Sequence, residues 1–438
     1  MPNYDLIIYW CDMSVLIAYA ILILFLFYYI LFIIMAFKKP RTFKKATKNY
    51  KYCVIIPARN ESLVITNLLK SLKEQTYAKN DFDVYVITES KDDPSNEIAT
   101  KFGYSYFVRK DLIHKNTKGF ALQEFINYLT ENNLKNKYDS YVIFDADNVM
   151  DKNYIERLND IKDEGYQVGF GYRNFTNANS NWVTSCSAIL FTLINQVFSK
   201  GRSILFKKIM ISGTGYFIDR KIIDDIGSWI FTGMTEDVQV STYCQYHNIS
   251  MAYDETVQYY DEEPRNMKVM HKQHVRWIWG FLADRKAFTK KIPNYGANKE
   301  YVAGLSRFEY NITIYPLVAY IIFTLLSFLT EFALFLSSLY FNPSISGWLI
   351  LHCLIPFSSL YLLFVVLSIF VIIIDQKHMK LSFGLGLASV FLFGFYFLDF
   401  ISAFFEGAFN KHKRNTWIPI PHEGNILNKD AINDKNRK

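Results

Sequence analysis

The strongest constraint on this chain is the placement of its apolar blocks. One lies near the N-terminus, Val15 to Phe37. Three lie toward the other end, Ile312 to Phe341, Gly347 to Ile374 and Leu381 to Phe409. A helix of roughly 20 apolar residues crosses a bilayer, so the blocks predict a chain that enters the membrane on both sides of a polar middle. A cleavable signal peptide is the competing reading of the first block. It fits poorly, because no basic region precedes the block and no small-residue cleavage site follows it. Lys38, Lys39, Arg41, Lys44, Lys45, Lys48 and Lys51 come directly after Phe37. Positive flanks face the cytoplasm, which puts the middle of the chain inside and the N-terminus outside.

Counted simply, the blocks make four spans and leave the C-terminus outside. Lys411, Lys413 and Arg414 follow the last block and argue for the inside. The stretch from Ile312 to Ile374 can hold three tight spans, with Glu331 marking an end, so five spans are expected. Asp399 and Glu406, in the last block, are costly in lipid and are expected to face protein or a watery path. The expected division is a membrane helix over 1–38, a cytoplasmic domain with interfacial helices over 50–290, membrane helices over 311–410 and a cytoplasmic tail over 411–438.

The middle reads as α/β. Tyr52 to Pro57 is a short apolar, β-rich run that ends at a proline, and Val64, Leu68, Leu69 and Leu72 then recur at helical spacing. Val84 to Ile87 and Tyr141 to Phe144 read as strands, Pro94 to Phe102 and Gly119 to Leu129 as helices. Such alternation implies βαβ units, a parallel sheet and a ligand site at the carboxyl ends of its strands. Ala188 to Ile194 is too short to span. With Lys200, Arg202, Lys207 and Lys208 after it, it is either an amphipathic helix on the membrane surface or a buried helix of the domain.

Hydrophobic residues make up 51% of the chain and the net charge is +7, a balance that suits a bilayer and no nucleic-acid partner. Cys11, Cys53, Cys186, Cys244 and Cys353 show neither C-x-x-C pairing nor His partners, so they read as buried thiols in a reducing compartment.

Three short motifs carry chemistry. Asp145-Ala-Asp147 directly follows a strand. Two carboxylates at i and i+2 on a strand end suit a hard divalent ion shared with a diphosphate, while a solvated acidic turn is the plain alternative. Thr235-Glu236-Asp237, after the glycine-containing Ser212 to Gly215, could supply a base for an attacking hydroxyl. It could equally be a helix start, with Thr235 capping and Asp237 favouring the dipole. Gln273, Arg276 and Trp277 share one face of a helix. An amide, a guanidinium and an indole make a sugar-binding surface, or a Trp/Arg belt at the edge of a membrane helix.

Taken in order, Val54-Ile-Ile-Pro-Ala-Arg-Asn-Glu61, Glu89, Lys118-Gly119, Asp145-x-Asp147, Thr235-Glu-Asp237 and Gln273-x-x-Arg276-Trp277 resemble the processive family-two glycosyltransferases. That group makes cellulose, chitin, hyaluronan and poly-N-acetylglucosamine. The resemblance spans roughly residues 50 to 285. It implies a Rossmann-like glycosyltransferase A domain joined to transmembrane helices in the plasma membrane, and an inverting transfer from a UDP-sugar to a growing polysaccharide that is then exported. It implies that Pro57, Ala58, Arg59, Glu61 and Glu89 cradle the uridine, with Lys118 and Asp145 near the nucleotide. Asp145 and Asp147 would hold Mg²⁺ or Mn²⁺. Asp237, beside Glu236, would be the base, and Gln273, Arg276 and Trp277 would hold the acceptor end and the diphosphate. The family's usual aspartate at the uridine position is Glu89 here, and Asp92 is a possible substitute. Trp417 to His422 resembles a loop that closes over the nucleotide, or else packs against the cytoplasmic domain.

Overall fold

The computed structural model describes residues 4–112, 117–291, 300–341 and 343–410. Its sheet has eight strands: β1 (Tyr52–Pro57), β2 (Phe82–Thr88), β3 (Ser105–Val108), β4 (Ser140–Ile143), β5 (Val149–Met150), β6 (Val168–Phe175), β7 (Tyr216–Asp219) and β8 (Met251–Asp261). They lie in the order β3-β2-β1-β4-β7-β6-β8-β5. From β3 to β4 all pairings are parallel, whereas β7 runs antiparallel to both of its neighbours. The parallel half is the one that periodicity predicts. β1 and β4, at the centre of the sheet, are buried on both faces, which the apolar Tyr52 to Ile56 can satisfy without alternation. The expected helices are also present, as Ile65–Lys73, Pro94–Lys101 and Lys118–Glu131.

The basic segment after the first helix is fastened to the α/β domain. Backbone N–H groups of Lys44, Ala46 and Thr47 donate to Glu164, Asp160 and Asp163 at 2.7–2.8 Å, and Arg41 lies 3.4 Å from Glu164. The N-terminal helix Tyr4–Ala36 is thus tied to the sheet through the helix Tyr154–Asp163.

Among the described residues, five helical runs are long and apolar enough to cross a bilayer: Ile8–Ala36, Trp182–Phe206, Phe323–Phe341, Pro343–Met379 and Phe383–Phe409. The stretch from Ile312 to Ile374 forms two helices rather than three. The break falls at the Pro343–Ile345 turn, where proline cannot continue the preceding helix. Glu331 therefore marks no end. It is buried inside Glu300–Phe341, with His352 Nδ1 at 3.7 Å, and the same imidazole reaches Asp12 at 2.8 Å.

The fifth run is the one expected to be too short. Trp182–Leu193 continues as a π-helix over Ile194–Gly201 and then as Arg202–Phe206, 25 apolar-rich residues in all. It is mostly buried, packed on β6, on Ser346–Met379 and on Phe383–Phe409. That decides for the buried helix over the surface-lying one. Cys53, Cys186, Cys244 and Cys353 are buried free thiols.

The last helix, Phe383–Phe409, touches the catalytic domain near both ends. The Ser382 N–H donates to Asn179 at 2.7 Å, and the Trp279 indole N–H donates to the Phe404 carbonyl at 3.1 Å. The chain thus leaves the last helix beside the helix Met267–Lys291. A reporter fused after Lys438 is expected to read on the same side as the catalytic domain; a signal from the opposite side would refute this. Trp417 to His422 lies outside the described residues.

Candidate active site

The chain breaks out of β1 at Pro57. The Ala58 N–H still bonds to the Ile87 carbonyl at 2.8 Å, holding the turn Ala58 to Glu61 against the end of β2. Glu89 follows β2, and its carboxylate sits between two guanidiniums, Arg59 at 2.8 Å and Arg109 at 3.2 Å. Asp92 is exposed and lies off the cavity.

Lys118 begins the helix Lys118–Glu131. Thr117 caps it, accepting from the Phe120 N–H at 3.2 Å, and donates its own hydroxyl to the Thr232 carbonyl at 2.8 Å. Gly119 is required here because a Cβ would lie 2.1 Å from the Phe231 carbonyl oxygen. This close approach brings the helix start onto the 231–232 backbone and aims Lys118 inward. Its ammonium meets Asp145 at 2.6 Å, Glu236 at 3.1 Å and the Gly213 carbonyl at 2.7 Å. Burial pulls the Lys118 ammonium down, but the two carboxylates outweigh it and hold the pKa above its ordinary value.

Asp145 and Asp147 leave β4 as the sequence implies. The Asp145 N–H donates to Thr214 at 2.8 Å, and Asn148 donates to Asp147 and Asp261, both at 3.2 Å. Asp147 is pushed well above the usual carboxylate range by burial, then by Asp261, Asp145 and Glu61. Glu61 rises to about 7 through burial and the charges of Asp145 and Asp93. Asp147 thus lies in the field of three other carboxylates, one of which, Asp261, is paired with Arg173. Arg173 also sits 3.2 Å from Glu263 and donates to the Ser212 carbonyl at 2.9 Å. Asp261 and Arg173 were not singled out from the sequence. The acidic run Asp261-Glu-Glu263 at the end of β8 was the available signal for Asp261.

Glu236 and Asp237 open the helix Glu236–Tyr246. Thr235 does not cap it through its side chain. Instead, the Thr235 N–H and hydroxyl both donate to Asp284 of the helix Met267–Lys291, at 3.0 and 2.7 Å. Gly233 permits this, since a Cβ there would fall 2.1 Å from the Asp284 carboxylate. The acidic loop and the helix carrying Gln273, Arg276 and Trp277 are therefore bolted together. Glu236 rises to about 7, chiefly through burial, with Lys118 opposing and Asp237 adding to the rise. Asp237 is also raised by burial, against the pull of Lys118 and the N–H groups of Val238 and Gly213.

Arg276 is half-buried in the field of Asp145, Glu236 and Asp237, yet has no hydrogen-bond or ion-pair partner among the described residues. Gln273 Oε1 is buried without a partner. Trp277 lies edge-on to Phe191 at 5.7 Å. Every site residue expected from the sequence lines one cavity of about 840 Å³. The cavity continues past Trp277 between the apolar helices. There its walls are Leu, Ile, Val and Phe, with Tyr29 the one hydroxyl among the lining side chains from Tyr4–Ala36, Trp182–Leu193, Ser346–Met379 and Phe383–Phe409.

A family model described as "Glycosyltransferase like family 2" matches residues 50–280. A probable glycosyltransferase of Bacillus subtilis, YdaM, is 26% identical over 234 residues, which are 52% of this chain and 55% of that relative. The chain thus spans about half the length of that curated relative. The structure of the mannosyltransferase PcManGT from Pyrobaculum calidifontis, in complex with GDP-Man and Mn²⁺, superposes with a TM-score of 0.53. The match has 12% identity and covers 78% of this chain and 97% of that one. At that identity the likeness is one of fold.

Proposed function

The chain belongs to the glycosyltransferase-like family 2, and we propose that it polymerises a hexose from a UDP-sugar into a β-linked polysaccharide at the plasma membrane. Its catalytic half is an α/β domain of the glycosyltransferase A type. The supporting observation is the meeting, in one cavity, of the Asp145/Asp147 pair, Lys118, Asp237 and the unpartnered Arg276. UDP as the nucleotide rests on the motif resemblance around Pro57 to Glu61 and Glu89. The cytoplasmic side rests on the lysines after Phe37 and on the apolar helices.

Asp145 and Asp147 fit a divalent cation. The Asp147 carboxylate is held toward its acid form by burial and then by Asp261, Asp145 and Glu61, a repulsion that a hard cation would relieve. Asp145 and Asp147 would hold Mg²⁺ or Mn²⁺, with the donor's diphosphate oxygens completing the shell. Bound there, the cation offsets charge on the departing UDP. Lys118 and Arg276 add positive charge to the same end of the cavity. Glu236 is engaged by Lys118, which leaves Asp237 to take the proton of the attacking hydroxyl. Attack opposite the departing diphosphate inverts the anomeric carbon.

A second reading, transfer of one sugar to a lipid carrier, is favoured by the cavity beyond Trp277. Sugar hydroxyls buried there without partners would each cost about 1–3 kcal/mol, whereas a hydrocarbon tail meets only apolar walls. Membranes containing the full chain, given radiolabelled UDP-glucose, UDP-N-acetylglucosamine or UDP-galactose, separate the two. High-molecular-weight product retained on size exclusion supports polymerisation. Label confined to the organic-solvent extract supports the lipid carrier and overturns the first reading. Turnover of none of the three donors overturns both.

A further inference from the structure

Two carboxylates in the last helix have an unexpected use. Asp399 and Glu406 both reach back to the helix Met267–Lys291. His271 Nδ1 lies 2.8 Å from Asp399 and its Nε2 contacts Glu406, while His274 Nδ1 lies 2.7 Å from the other Asp399 oxygen. A ring with a carboxylate on each nitrogen can donate to both only as imidazolium. His274 is fully buried and stacks on Phe400 at 3.8 Å. One turn on, the Trp279 indole lies directly over Gly407, where a Cβ would come within 1.8 Å of it.

The histidine contacts precede the bolt at Thr235 and Asp284 along the helix, and Arg276 and Trp277 stand between the two attachments. Arg276 has no hydrogen-bond or ion-pair partner among the described residues to set its position, and Trp277 packs against the rings of Phe191, Phe400 and His274. Their placement relative to Asp237 is therefore set by how the helix is rotated and seated.

We infer that Asp399 and Glu406, through His271 and His274, form a latch by which the last membrane helix sets the acceptor-holding position of Arg276 and Trp277. The four are positioning residues. None is placed to touch the reacting atoms, and the inference rests on the transferase reading above.

The latch is charged, and its sign can be worked out. The groups facing His271 are Asp399 and Glu406 on the last helix and His274 on its own. Burial lowers the His271 pKa, but the carboxylates outweigh it, and the net shift is upward from 6.5. A raised histidine contributes fully below its ordinary value and is lost as pH rises through its raised one. The His271 contribution is therefore fully present below pH 6.5 and is lost as pH rises through its raised value.

The test uses the full chain in membranes and in detergent, with Asp399→Asn, Glu406→Gln and His271→Gln. Amide exchange over residues 268–282 is expected to rise about tenfold or more in each variant at matched pH, with β1 and β4 unchanged. Transfer from whichever of UDP-glucose, UDP-N-acetylglucosamine and UDP-galactose the wild type uses is expected to fall by up to about 10²-fold. Donor KM and acceptor-independent UDP release should stay within about twofold. The alkaline loss of wild-type transfer should be absent from His271→Gln, and Asp399→Glu should restore part of what Asp399→Asn loses. Wild-type exchange over 268–282 in the variants would overturn the latch. So would an equal loss of transfer and UDP release with a raised donor KM. If the wild type turns over none of the three donors, the transferase reading fails, and the exchange result alone decides the latch.

Discussion

Asp237→Asn is expected to bind UDP as the wild type does and to lose transfer by about 10²- to 10⁴-fold, the range for removing a positioned general base. The side chains are nearly isosteric. Asn can still accept from the Val238 and Gly213 N–H groups that hold Asp237, so geometry should survive while basicity does not. Burial raises the Asp237 carboxyl above its ordinary 3.8. Wild-type turnover should therefore fall on the acid side as that group protonates, and the variant's residual rate should lack this limb. The sign for stability runs the other way. A carboxyl whose folded pKa is raised costs stability once pH passes its unfolded value, so the Asn variant should melt no lower than the wild type at neutral pH. Calorimetric UDP binding, turnover across pH and a melting curve make the check together. Wild-type turnover in Asp237→Asn would remove the base assignment. Lost binding would show that Asp237 serves the nucleotide instead.

The acid motifs were legible because each sits at a break in a local pattern. Asp145 follows an apolar strand, Asp237 opens a helix, and Arg276 and Trp277 share a helical face. Local periodicity and spacing carry that information. The residues that were missed act across long separations. Asp261 joins the Asp147 group from 114 positions away (261 − 147), and His271 meets Asp399 across 128. Neither pairing leaves a trace in local periodicity.

The same limit explains the misread segments. Thr235 has the composition of a helix cap, yet Asp284 takes its hydroxyl. The apolar run Ala188 to Ile194 reads as too short to span because Asn195, Gln196 and Lys200 follow it. In the structure these are buried with polar partners, Asn195 on the Arg173 carbonyl, Gln196 on Asp375 and Lys200 on Glu255. Composition cannot distinguish a buried polar residue with a partner from an exposed one. The mixed half of the sheet, where β7 and β5 run antiparallel to their neighbours but β6 and β8 pair parallel, lacks the regular strand–helix alternation that exposed the parallel half.

Removing divalent metal is the second change expected to have a large effect. Asp145 and Asp147 supply two protein carboxylates, and among the described residues no cluster of three or more His, Cys, Asp or Glu side chains is arranged to hold an ion alone. Tight binding should therefore require the donor's diphosphate. EDTA is expected to stop turnover, and Mg²⁺ or Mn²⁺ in excess to restore it. The loss should be about 10²- to 10³-fold, since a cation at a leaving group contributes several kcal/mol and each 1.36 kcal/mol is tenfold. A readout independent of turnover is the Mn²⁺ electron paramagnetic resonance signal. It should change on adding UDP and protein together, more weakly with either alone, and not at all with Asp147→Asn. That variant relieves the crowding with Asp261, Asp145 and Glu61 by another route, so it should fold normally while failing to hold the ion. Undiminished turnover in EDTA would refute the role given to Asp145 and Asp147. Those carboxylates would then be the partners of Lys118 and Asn148, and neutralising the leaving UDP would fall to Lys118 and Arg276.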